Sequence, residues 1–278
     1  MRAYRIAYDG RSFHGFQRQP DVPTVEDALF DALRELGVLD ADATKPTGYA
    51  AAGRTDAGVS ALAQTIAFEA PDWLTPRALN AELPAEVRAW ASADVPPEFH
   101  ATHDASERTY AYHLYAPREA TATRDPFDDE RARAALDRLT GEHDFHNLTP
   151  DESGTVRDLT AGAERDGEFL VVTLRAGGFA RQLVRRAVGL VAEVGRGQSD
   201  PATVERVLGA DPLEGPAGVA PAPAEPLVLR DVAYPGVEFT VDEAAAASAR
   251  AVFEESRVAH NRAARVAGSI REGVDGGT

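Results

Sequence analysis

The segment from Arg2 to Gly37, RAYRIAYDGRSFHGFQRQPDVPTVEDALFDALRELG, sets the architecture. Its opening residues alternate, with Tyr4, Ile6 and Tyr8 on one side, which predicts a strand. After a loop, Val25, Leu29, Leu33 and Leu36 form a helical stripe, with Thr24 placed as N-cap and Gly37 as terminator. ALAQTIAFEA (61–70) then reads as a strand. TPRALNAEL (75–83) reads as a helix opened by Thr75 and Pro76, and VRAWASADV (87–95) as another strand. The result is β-α-β-α-β over the first 95 residues.

The pattern runs a second time. RTYAYHLYA (108–116) alternates Tyr110, Tyr112 and Leu114 against Thr109, Ala111 and His113. A helix follows over 128–141. Strands over 155–164 and 168–176 flank a hairpin turn placed at Asp166-Gly167. ARQLVRRAVGLVAEVG (180–195) predicts a helix, Asp200-Pro201 begins a short one, and PLVLRDVAYP (226–235) is a strand. Two similar halves, residues 1–105 and 106–240, predict an α+β fold in which each half is a sheet with helices on one face. The Pro/Ala/Gly-rich stretch 213–226 reads as a loop. The tail, 241–278, is Ala-rich and reads as helical at first, then polar and loose at its end.

The 278 residues are 44% hydrophobic, enough for a sizeable core. No run of about 18 apolar residues predicts a membrane span, and the polar N-terminus does not read as a signal peptide. The absence of cysteine excludes disulfides, thiolate metal sites and cysteine nucleophiles. A cytoplasmic location is the expectation. The charge stands out: 45 acidic residues face 29 basic ones, net −16, and Lys45 is the one lysine. Such acidity ordinarily argues against nucleic acid. It also matches a chain from a salt-loving organism, where molar salt screens self-repulsion to about 3 Å. There, the placement of the arginines is more informative than the total.

Four places could carry chemistry. YDGRSFHGFQRQP (8–20) mixes Phe13, Phe16, Gln17, Gln19 and His14 with Arg11 and Arg18, a blend suited to stacking bases and pairing phosphates. AAGRTDAGVSALAQ (51–64) sets Arg54, Thr55 and Asp56 between Gly53 and Gly58, a turn able to hold a carboxylate in the open as nucleophile, base or metal ligand. A metal would want partners, and His100, His103, His143 and His146 lack the helical H-E-x-x-H spacing. Tyr110 lies on a strand, where a core role is the commoner one. Arg181 and Arg185, four apart on a helix otherwise apolar, need a charge partner if buried, and Asp56 is the candidate.

Taken together, YDGRSFHGFQRQPDVPTVEDAL, GRTDAGVSA, EFHATHDASERTYAYHL, GGFARQLVRRAVGLVAEVGRG and the later AP-x-x-PLVL-x-x-VAYP resemble, in this order and spacing, the tRNA pseudouridine synthase A family. The resemblance covers about residues 1–240. It implies isomerisation of uridine to pseudouridine at positions 38–40 of the tRNA anticodon stem-loop, with no cofactor and no metal. It implies two ferredoxin-like halves around an extended antiparallel sheet, a central RNA-binding cleft and a homodimer. It makes Asp56 the catalytic aspartate, Tyr110 the residue packed on the target base and Arg185 the partner of Asp56. Arg54 would fill the gap left by a flipped nucleotide. Arg11, Arg18, Arg54, Arg181, Arg185 and Arg186 are the expected basic lining, with Phe16 and Gln17 as further RNA contacts. Three positions depart from the family: Ser60 where histidine is usual, Phe16 where tryptophan is common, and Pro226 where glycine is usual.

The chemistry fits these residue types. The base must be extruded, at a cost of a few kcal/mol, and one carboxylate then attacks sugar or base, or moves a proton at C2′. Either route needs the carboxylate charged, and a neighbouring arginine, whose fork can bind it at two points, favours that form. Two readings from other classes stand beside this one. The first is a non-catalytic RNA-binding or tRNA-folding protein, against which the intact Asp56, Tyr110 and Arg185 speak. The second is a metal-dependent hydrolase using Asp56 and nearby histidines, which activity in EDTA would dispose of.

Overall fold

A computed structural model of the chain describes residues 1–121, 123–213 and 218–275. β1 (Arg2–Tyr8) pairs antiparallel with β3 (Ser60–Phe68) on one side and β4 (Val87–Asp94) on the other. α1 (Val25–Glu35) begins at Thr24, whose hydroxyl accepts the amide of Asp27. Its stripe of Val25, Leu29 and Leu33 is fully buried, and each leucine so covered stabilises the fold by roughly 1.5–3 kcal/mol. β2 (Ala50–Ala51) lies along β3. Further on come β5 (Glu107–Tyr115), α3 (Asp129–Leu139), β6 (Gly141–Asp144), β7 (Val156–Asp166), β8 (Phe169–Ala176), α4 (Leu183–Gly195) and α5 (Ala202–Val207). β9 (Leu227–Ala233), β10 (Thr240–Val241) and α6 (Glu243–Asp275) complete the chain.

The fold is mixed α/β, with one large, mostly antiparallel sheet ordered β10-β4-β1-β3-β9-β5-β8-β7-β6. The exception is the β3–β9 junction, which is parallel and pairs Ser60 with Val228 and Ala61 with Leu229. Two apolar cores flank that junction. One gathers Tyr4, Ile6 and Tyr8 with Leu29 and Leu33; the other gathers Leu170, Val172 and Leu174 with Leu136, Val188 and Val191. β9 serves both, giving Leu227 to the second and Leu229 and Val232 to the first.

Several local expectations are corrected. The helix expected over 75–83 is the single turn α2 (Pro76–Leu79). It stops because the side-chain amide of Asn80 donates to the Ala89 carbonyl and accepts the Ala89 amide, both at 2.8 Å. The β7–β8 turn sits one residue later than expected: Asp166 still pairs with Phe169, leaving Gly167 and Glu168 as the loop, with Gly167 at φ +56°. The helix expected from residue 180 starts at Leu183, because Gln182 is left-handed at φ +62°. In the tail, expected to be helical at first, α6 runs unbroken through the polar stretch to Asp275. The loop read over 213–226 includes 214–217, and the loose end includes 276–278; those residues lie outside the described ones. No helix among the described residues is long and apolar enough to cross a membrane.

Candidate active site

The loop between β2 and β3 carries Asp56, and hydrogen bonds to its backbone hold it from two sides. Ala52 donates to the Thr65 carbonyl at 2.8 Å, and the Gln64 side chain donates through Nε2 to the Gly53 carbonyl at 2.9 Å. From the other side, Phe16 donates to the Thr55 carbonyl at 3.1 Å and Gly58 to the Phe13 carbonyl at 3.2 Å. Close approach explains Gly15: at φ +100°, an added Cβ would stand 3.0 Å from the Thr55 carbonyl oxygen. Gly58 takes φ +83°, whereas Gly53 needs neither positive φ nor close approach, against expectation. Thr55 is buried, and its hydroxyl shares a 2.8 Å hydrogen bond with the Tyr8 hydroxyl. The loop is thus fixed at Thr55 while the Asp56 carboxylate stays 32% exposed.

Arg185, in the first turn of α4, meets that carboxylate. Its Nη1 donates to Asp56 Oδ2 at 3.0 Å. The contact is single rather than two-pronged, because Nε of the same guanidinium donates to the Ala222 carbonyl at 2.8 Å. The Ala222 amide in turn donates to the Arg185 carbonyl at 2.9 Å, clamping 220–222 on the helix. Gly189 permits this approach, since a Cβ there would stand 2.4 Å from the Ala220 carbonyl oxygen.

Both groups line a cleft of about 1230 Å³, and Tyr110 of β5 lines it too. Its ring meets Phe179 edge-on, centroids 5.2 Å apart. Burial, helped by the negative charge of Asp56, pushes the Tyr110 phenol up to about 12, so the hydroxyl keeps its proton. Arg18, Arg54, Gln17 and Arg181 also reach the cleft. Arg54 is exposed and makes no side-chain hydrogen bond or ion pair among the described residues. Arg18 is held by Asp27 at 2.7 Å and lies 5.6 Å over the Phe30 ring. Arg181 precedes α4 instead of sharing its face with Arg185, and pairs with Asp151 at 3.3 Å.

Of three further expected RNA contacts, Phe16 borders the cleft but is buried, and Arg11 and Arg186 do not line it. Phe16 is 1% exposed and packs against Tyr8, so its ring offers no face to a base. Arg11 turns away from the cleft, ion-paired with Asp9 and hydrogen-bonded to His260 of α6. Arg186 donates to the Val219 carbonyl at 2.6 Å and to the Gln182 side chain. The structure also adds two residues. Arg108 lines the cleft and donates to the carbonyls of Ala52, Thr102, Ala105 and Gly177, tying three segments around it together. Its place two residues before Tyr110 on the same strand face was a readable signal. Phe179 sits in an irregular connector, where no periodicity marks it. Of the departures from the family, Ser60 has a task of its own, its hydroxyl accepting the Gly10 amide at 3.0 Å.

Comparison with known proteins gives a consistent result. Residues 135–235 match the family model described as tRNA pseudouridine synthase. The tRNA pseudouridine synthase A of Haloarcula marismortui is 59% identical over 99% of this chain and 100% of its own. That of Natronomonas pharaonis is 62% identical, over 97% of this chain and 98% of its own. The Archaeoglobus fulgidus protein of the same name is 36% identical, over 93% and 92%. The first two come from salt-loving archaea, in keeping with the net charge of −16.

Proposed function

Since the chain belongs to the tRNA pseudouridine synthase A family and isomerises uridine to pseudouridine in tRNA, we propose that Asp56 is its catalytic carboxylate. The observation that carries this is the partly exposed Asp56, hydrogen-bonded by Arg185 and facing the same cleft as Tyr110. The reaction breaks the bond from ribose C1′ to N1, turns the uracil, and joins C1′ to C5. The C5 hydrogen leaves as a proton and N1 gains one, so the atoms balance without a redox partner.

The uridine has to leave its stack to reach this carboxylate. Arg54, exposed on the same loop, is the side chain that takes the vacated place, while Tyr110 offers a flat surface beside the turning base. Arg185 orients the carboxylate and balances its charge, and Arg108 keeps the wall in shape. Gln17, Arg18 and Arg181 contact the RNA at the rim. The family resemblance supports uridines 38–40 of the anticodon stem-loop as targets, a homodimer as the working form and the cytoplasm as its place. It also supports two ferredoxin-like halves, 1–105 and 106–240.

The deciding experiment is tritium release from unmodified tRNA labelled at uracil C5, in concentrated potassium chloride with EDTA. Wild-type protein should release tritium and Asp56→Asn should not. Equal release by both would remove Asp56 from the chemistry. Release that EDTA abolishes would favour the metal-dependent reading.

A further inference from the structure

α6 packs on the sheet through its first turns. Asp242 accepts the Ala245 amide at 3.0 Å, and Ala245, Ala246 and Ala249 are buried. From residue 259 through 274 every residue but Gly268 is exposed, so the helix continues as an arm in solvent. At 1.5 Å per residue, that arm is about 24 Å long.

Its charge runs against that of the chain. Residues 256–271 hold Arg257, His260, Arg262, Arg265 and Arg271 with no aspartate or glutamate, in a protein of net charge −16. One acid-free run is longer, 169–192, and that one leads into the cleft and carries Arg185. Arg257 and Arg271 have acidic neighbours, Glu254 and Glu272. Arg262 and Arg265 have no ion pair among the described residues; with Val258, Asn261 and Val266 they border a shallow groove along one side of the helix. The arm also meets the loop that serves the cleft. His260 gives Nδ1–H to the Ser256 carbonyl at 2.7 Å and accepts from Arg11 at 2.6 Å. Arg11 opens the same loop whose Gln17 and Arg18 reach the cleft.

We propose that the outer part of α6 is a second RNA-binding site, in which Arg262 and Arg265, with Asn261, hold the phosphate backbone of the tRNA outside the cleft. The argument is charge complementarity: two free guanidiniums on an acid-free stretch of the helix, 256–271, suit a polyanionic substrate. The alternative occupant, a second copy of the chain, has little to grip. Val266, Ile270 and Val274 are the arm's large exposed apolar side chains, far short of the roughly 800 Å² that each partner buries in a stable interface. The proposal rests on tRNA as the substrate.

The test compares wild type with Arg262→Gln/Arg265→Gln and Arg262→Lys/Arg265→Lys, on full tRNA and on an isolated stem-loop carrying the target uridine. Wild-type turnover of tRNA establishes the enzymatic reading first. The glutamine pair should then weaken tRNA binding by about tenfold and lower the slope of log affinity against log salt by about 2. It should leave kcat and the KM for the stem-loop unchanged, and the lysine pair should restore the slope. Unchanged tRNA affinity beside normal wild-type turnover would overturn the arm site alone. So would an equal loss on tRNA and stem-loop, or a change in sedimenting mass, which would assign the arm to a second copy. A wild type that binds tRNA but never turns it over would sink the enzymatic reading instead.

Discussion

The guanidinium of Arg185 is shared between two acceptors, with Nη1 on the Asp56 carboxylate at 3.0 Å and Nε on the Ala222 carbonyl at 2.8 Å. The loop 220–222 therefore sets where the arginine points, and the arginine sets where the carboxylate points. A lysine carries the same charge but has no fork to span both acceptors. Arg185→Lys should fold normally and lose about 100-fold in kcat, the scale of a misplacement near 1 Å, with KM little changed. Single-turnover kinetics at saturating tRNA checks this. Wild-type kcat would mean that charge alone suffices.

A second prediction concerns the joint beneath Asp56. The Tyr8 hydroxyl is fully buried and bonded to Thr55. Thr55→Val strands that hydroxyl and should cost about 1–3 kcal/mol of stability. Tyr8→Phe on top of Thr55→Val should recover part of the loss, because no polar group is then left without a partner. Denaturant unfolding at constant high salt measures both. A fully additive pair would show that the hydrogen bond contributes nothing.

The third concerns Gly189. An alanine methyl there would push against the Ala220 carbonyl from 2.4 Å. Gly189→Ala should destabilise by about 1–3 kcal/mol, as overpacking does, and should lower kcat, because the displaced segment carries the Ala222 anchor of Arg185. A stability loss with unchanged kcat would break the link between that loop and the site.

The fourth is a pH dependence. Burial pushes the phenols of Tyr110, Tyr112 and Tyr234 up to about 12, whereas in the unfolded chain they ionise near 10. Above pH 10 the unfolded state therefore sheds protons that the folded state keeps. This contribution to stability is whole below about pH 10 and is lost as pH rises toward about 12. Thermal melting across that window should fall steeply, and Tyr110→Phe should flatten the fall. A wild-type melting point constant to pH 11 would contradict it.

What could be read in the sequence was whatever repeats along it. Tyr4, Ile6 and Tyr8 announced β1, and Leu29 and Leu33 announced α1, because both elements bury one face against the core. The Asp56–Arg185 pairing was legible because an arginine on an apolar helix needs an acid. Misreadings arose where a single side chain overrides the local pattern. Asn80 ends α2 by bonding to Ala89, nine residues away, and Gln182 delays α4 by adopting a left-handed conformation. Phe16 looked like a stacking residue in a polar loop, yet it is the core's lid on Tyr8. Short edges such as β6 and β10 carry no periodicity. α6 continues through its polar stretch because an Ala-rich helix without proline keeps propagating where little packs on it.

The parallel junction of β3 with β9 has a bearing on how the protein is made. β9 is the last strand but one in sequence, yet it is inserted at the centre of the sheet, between β3 and β5. A chain still emerging from the ribosome holds Asp56 and all of α4 before residue 227 is available, and until then β5 and the Ser60–Ala61 end of β3, which β2 does not cover, present edges open to wrong partners. The centre of the sheet is thus completed only after residue 227 has emerged. A fragment ending before Leu227 would be a poorly protected, silent precursor rather than a smaller enzyme.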